Sequence, residues 1–137
     1  YDIQADKDSM FNTPPVFPIY MLGKVLKWMR DQGGVDAMER QAEDKAGLLY
    51  QTIDQSGGYY RCPVDADSRS VMNVVFRLPS EDLEKTFLSG AAAAGLLNLK
   101  GHRSVGGIRA SIYNAMPKEG VQALVTFMSE FQSAHPA

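Results

Sequence analysis

What most restricts the fold of this sequence is a change of hydrophobic period part-way along it. Met72, Val74, Phe76 and Leu78 fall on every second position. That spacing predicts a strand with one face on a core, and Pro79-Ser80 breaks it. On both sides of this stretch the period is helical. Leu22, Val25, Leu26 and Met29 recur at i, i+3, i+4 and i+7, with Lys24, Lys27 and Arg30 on a wet face. Gly33-Gly34 ends that helix. Val35, Met38, Ala42, Leu49 and Ile53 form the apolar stripe of a second helix, and Glu39, Arg40, Glu43, Asp44 and Lys45 its solvent face. Tyr59 to Cys62 is a short strand candidate stopped by Pro63. Beyond the alternating stretch, Ser80 is a good N-cap, and Glu81 and Asp82 suit the positive end of a helix dipole. Leu83, Phe87, Ala91 and Ala94 carry the buried face of that helix, and Gly95 stops it. A strand is predicted over Ile108 to Ile112, then an amphipathic helix through Val121, Leu124, Val125, Met128 and Phe131, opened by Pro117. The order helix, helix, strand, strand, helix, strand, helix makes the chain α+β. Its sheet is small, mostly antiparallel and covered by helices on one side.

The 137 residues suit one ordinary domain, and a hydrophobic share of 45% is enough for a packed core. Residues 1–15 are polar and then proline-rich, and read as an extended connecting segment ahead of a domain over 16–137. A formal net charge of −2 argues against a general nucleic-acid binder. No apolar run is long enough to span a membrane. The start, Tyr1-Asp2-Ile3-Gln4, has no signal-peptide pattern and no initiator Met, so the expectation is a piece of something longer. One cysteine, Cys62, cannot close an internal disulfide, which points to a reducing compartment, the cytoplasm.

Chemistry concentrates in Gly101-His102-Arg103-Ser104-Val105-Gly106-Gly107-Ile108-Arg109-Ala110-Ser111. A guanidinium is a planar fork of donors that fits a carboxylate or phosphate, and glycine lets backbone approach a ligand closely. The stretch therefore reads as an anion site with two centres, one at His102 and Arg103, one at Arg109. The bland alternatives are a structural ion pair for Arg109 and an exposed, ligand-free loop for His102 and Arg103. A second candidate is Asn12-Thr13, although both residues also cap helices well and could simply start the helix after Pro14-Pro15. Ser111 and His135 lack any nucleophile-elbow pattern.

The block Gly101-His102-Arg103 with Gly106-Gly107-Ile108-Arg109-Ala110-Ser111-Ile112-Tyr113-Asn114-Ala115-Met116-Pro117 resembles the C-terminal signature of the phosphoserine aminotransferases. Asn12-Thr13-Pro14-Pro15 and the tract from Leu26 to Tyr50, with Lys45-Ala46-Gly47-Leu48-Leu49-Tyr50, resemble the same family. The resemblance implies the small C-terminal domain of a fold-type-I, pyridoxal-phosphate-dependent transferase that works as a homodimer. Such an enzyme exchanges an amino group between phosphoserine and 2-oxoglutarate, giving glutamate, in serine biosynthesis; some members accept a phosphorylated hydroxythreonine of vitamin B6 synthesis. It further implies that Arg109 holds the substrate carboxylate. His102 and Arg103 then bind the phosphate from the neighbouring subunit, and Asn12 and Thr13 reach the cofactor phosphate across the dimer. The large domain with its Schiff-base lysine would precede Tyr1, so no catalytic residue and no metal site is expected here. The rival expectation is a stand-alone module that binds phosphate ligands without catalysis.

Overall fold

The computed structural model describes residues 1–136. The chain divides into two compact units, Tyr1–Met38 and Glu39–Ala137. The division falls inside the helix that spans Gly34–Asp54.

In the first unit, Asp2–Asp6 form a short helix, α1, closed by turns in which Ser9 N–H donates to Gln4 O at 2.7 Å. An extended arm was expected here. No proline occurs before Pro14, so nothing bars a helical turn, and Asp2 sits in its first turn, where the dipole favours a carboxylate. The second helix, α2, runs Val16–Asp31 and follows Pro14-Pro15 directly. An i,i+4 ion pair, Lys27 Nζ to Asp31 Oδ2 at 2.6 Å, lies on its polar face. No residue of α2 is buried, although Leu22, Val25 and Leu26 form the predicted stripe. A helical period specifies an apolar face; it does not supply the surface that covers it.

The long helix α3 spans Gly34–Asp54. Met38, Ala42, Leu49 and Ile53 are buried as predicted, while Val35 is 72% exposed. One reading is overturned. Lys45, placed on the solvent face, is 4% exposed, and its Nζ donates to Ile112 O (3.1 Å), Tyr113 O (2.8 Å) and Met116 O (3.0 Å). Three converging carbonyls take up all three ammonium protons, which makes burial of the charge tolerable.

In the second unit, β1 (Asn73–Phe76) pairs antiparallel with β2 (Ile108–Ser111), with Val74 opposite Ala110 and Phe76 opposite Ile108. Isolated antiparallel bridges Arg61–Arg77 and Lys100–Ile108 flank the pair. The predicted strand at Tyr59 to Cys62 thus shrinks to one bridge, because Tyr59 and Tyr60 turn into the core. Between the strands, α4 (Glu81–Ala93) starts where Ser80 Oγ accepts from Leu83 N–H, and Gly95 follows it at φ +81°. Ala94, expected on the buried face, is the exposed C-cap of this helix. The last helix, α5, covers Lys118–Ala134 after Pro117.

Alternation decides which sheet face meets the helices. Val74, Phe76, Ile108 and Ala110 point into a core with Leu49, Phe87, Met128 and Phe131. Edge-to-face contacts bind it, including Tyr60–Phe76 at 5.5 Å, Phe76–Phe87 at 5.8 Å and Phe87–Phe131 at 5.1 Å. Tyr60 keeps its hydroxyl satisfied at Met128 O, 2.8 Å. The opposite face, with Asn73, Val75, Arg77, Arg109 and Ser111, is only half-buried, and it is the face that carries chemistry.

Candidate anion-binding site

Arg109 stands on this half-covered face, opposite Val75. Its backbone N–H donates to Leu99 O at 2.7 Å, so the strand is held on both sides of it. Its side chain lacks the carboxylate partner that Arg69 and Arg77 have. Arg69 makes a two-pronged pair with Asp54 (2.7 and 2.8 Å), and Arg77 pairs with Glu84 (2.7 Å). Arg109 has no ion pair or side-chain hydrogen bond among the described residues, and its Nε is buried without a partner. A buried donor left unmatched is costly, and a bound carboxylate would satisfy it. The structural ion pair considered for Arg109 is therefore not formed.

The chain reaches β2 through a loop shaped by glycines. Gly101 N–H donates to Gly107 O (2.8 Å), and Val105 and Gly106 N–H both donate to His102 O (2.9 and 2.8 Å). Gly106 and Gly107 have φ of +76° and +72°, a region other residues avoid. A Cβ on Gly107 would lie 2.6 Å from Arg77 Cδ, and one on Gly101 would strike the Gly106 carbonyl. The glycines thus make room for the chain's own Arg77 and backbone, where close approach to a ligand was the expected reason.

His102 and Arg103 are exposed on this loop. His102 Nδ1 lies 2.7 Å from Ser104 Oγ and accepts from Ser104 N–H at 3.3 Å. With Nδ1 an acceptor, the proton of the neutral ring belongs on Nε2, where it can be donated to an anion. His102 and Arg109 line one cavity of about 180 Å³ together with Val75, Arg77 and Gly106; Arg103 is not among its walls. Arg109 also borders a second cavity of about 440 Å³, beside Leu99, Ser111 and Met116. His102 and Arg109 thus line one cavity, and Arg103 does not.

Asn12 and Thr13, in the first unit, are both exposed. Neither caps α2, whose N-cap is Pro15 without a side-chain hydrogen bond. Their amide and hydroxyl have no partner among the described residues, so this donor set is available and chemically suited to a phosphate group.

Two residues of this region escaped the sequence reading. Arg77 follows Phe76 in the alternation and so belonged on the outer face. Lys45 lies three residues after Ala42 and four before Leu49, which the helical period alone puts on the buried side.

A model of the aminotransferase class-V family matches residues 1–124. The chain belongs to the class-V aminotransferases. Within that family it is similar to the phosphoserine aminotransferase of Laribacter hongkongensis (strain HLHK9), 64% identical over 135 residues, which are 98% of this chain and 38% of the relative. It is 54% identical over 132 residues to that of Niallia circulans, covering 96% of this chain and 36% of the relative. Among solved structures, the phosphoserine aminotransferase from Bacillus circulans subsp. alkalophilus superposes with a TM-score of 0.91 at 53% identity, over 98% of this chain and 37% of that one. The pyridoxal-phosphate-bound phosphoserine aminotransferase of Trichomonas vaginalis gives 0.84 at 40% identity, over 94% and 37%. The resemblance carried by residues 101–117 is borne out. The class-V chain spans a little over a third of the length of these relatives.

Proposed function

We propose that this chain is the small C-terminal domain of a fold-type-I, pyridoxal-phosphate-dependent phosphoserine:2-oxoglutarate aminotransferase, a cytoplasmic homodimer of serine biosynthesis. The observation that carries the reading is the Arg109 guanidinium, which has no carboxylate partner and keeps its Nε buried and unmatched on the half-covered face of the sheet. A substrate with a carboxylate at one end and a phosphate at the other needs two cationic centres, which in a homodimer with shared sites come from the two protomers. In this reading Arg109 binds and orients the α-carboxylate. His102 and Arg103 bind the phosphate of substrate held mainly by the partner subunit. Asn12 and Thr13 hold the phosphate of the cofactor. The electron sink for amino transfer is supplied by pyridoxal phosphate when it is bound. The lysine that carries the cofactor belongs to the two-thirds of the relatives' length outside these 137 residues. The stand-alone binding module gains no support from relatives that are aminotransferases.

The test uses the full-length protein and both half-reactions. Replacing Arg109 by Gln should lower kcat/KM about 10- to 100-fold with phosphoserine and with glutamate, since each loses the same charge-assisted carboxylate contact. Arg103→Gln should weaken phosphoserine far more than glutamate. Equal losses with Arg103→Gln argue against phosphate recognition by that residue, and an unchanged kcat/KM with Arg109→Gln removes the basis of the reading.

A further inference from the structure

We propose that Arg77 is a positioning residue for the phosphate end of the site: it braces the Gly101–Gly107 loop, and with it His102 and Arg103, against the start of α4. The inference rests on the function proposed above. Arg77 Nε donates to Glu84 Oε1 at 2.7 Å, and Nη1 donates to Val105 O at 2.8 Å. Glu84 is itself fixed. It is 7% exposed, stands in the first turn of α4 and also accepts from Leu78 N–H at 3.3 Å. The Arg77 backbone is pinned from the other side by its two-way bridge to Arg61, at 2.8 and 3.0 Å.

The loop is moulded to this side chain. A Cβ on Gly106 would come within 3.3 Å of Arg77 Nη1, and one on Gly107 would overlap the Arg77 stem. The other hydrogen bonds of the loop tie it to itself, through Gly101 to Gly107 and through the His102 carbonyl. Among the described residues, Arg77 has the one side chain outside 101–107 that hydrogen-bonds to the loop. Its charge is already met by Glu84, so its contribution to anion binding is placement. The two prongs of the guanidinium set the height of Val105, and Val105 N–H donates to the His102 carbonyl. A fixed fork suits this task, whereas a lysine offers one point of charge.

The experiment uses the full-length holoenzyme with simple anions as competitive inhibitors. Inorganic phosphate reports the His102–Arg103 centre and acetate reports the Arg109 centre. Arg77→Lys keeps a cation for Glu84 and loses the second prong. It should raise the inhibition constant of phosphate about 5- to 10-fold, leave that of acetate within about twofold, and shift the melting temperature by no more than about 3 °C. Glu84→Gln keeps an acceptor for Leu78 and should give a smaller change with the same selectivity, which covers the case in which Arg77→Lys does not fold. Equal weakening of both anions, or no change in either, overturns the proposal. A wild-type holoenzyme that transaminates glutamate yet is insensitive to phosphate overturns the proposed function as well, and does so without any variant.

Discussion

Lys45 has no carboxylate partner among the described residues, yet it is nearly inaccessible to water. Burial pushes its pKa below the usual lysine value. The three carbonyls around it act the other way, because a neutral amine has too few protons to serve them all. They belong to residues 112–116, the segment that leaves β2 three residues past Arg109, so Lys45 ties α3 to the strand that carries Arg109. Lys45→Met keeps much of the volume and strands three acceptors. It should destabilise the protein by about 2–4 kcal/mol, seen as a lower urea midpoint. An unchanged midpoint would mean that water replaces the ammonium at little cost. The residue was legible by position and hidden by type: the period placed it inside, and its charge suggested outside.

At the level of elements, the helices are the most legible part because their signals are local. Ser80 caps α4 through Leu83 N–H, as its place before Glu81 and Asp82 predicted. Since that hydrogen bond is exposed, Ser80→Ala should cost about 1 kcal/mol in thermal unfolding. A change near zero would show that water caps the helix equally well. Strands were less legible. The alternation from Met72 found β1, but the edge segments at Arg61 and Lys100 amount to single bridges, and no local pattern marks a bridge. The loop between α4 and β2 was identified by its residue types, and its shape was not. Its glycines follow from the register: Phe76 pairs with Ile108, so Arg77 comes to lie beside Gly107.

For the molecule as a whole, the decisive fact is length relative to kin. Almost all of the chain aligns with the phosphoserine aminotransferases of Laribacter hongkongensis and Bacillus circulans, and it accounts for a little over a third of each. In the proposed reading the binding groups and the cofactor lysine are in different parts of the full protein. Purified as these 137 residues, with pyridoxal phosphate and phosphoserine added, the chain should give no specific cofactor absorption band and no turnover. Turnover by this chain would sink the reading of it as one domain of a larger enzyme. No helix among the described residues is long and apolar enough to cross a membrane.

By itself, the sequence determined the four longer helices, the α+β class, the face of β1 that meets the core, and the family, all of which depend on periods and motifs read along the chain. Only the tertiary structure decided which charges are spent and which are available. Arg69 and Arg77 find carboxylates, Lys45 finds carbonyls, and Arg109 finds neither. It also decided that His102 lines a cavity with Arg109 and that Arg103 does not. The physical reason is that a side chain's type fixes what it can bond to. What lies within 3 Å of it depends on strand register and helix packing, which bring together residues far apart in the chain.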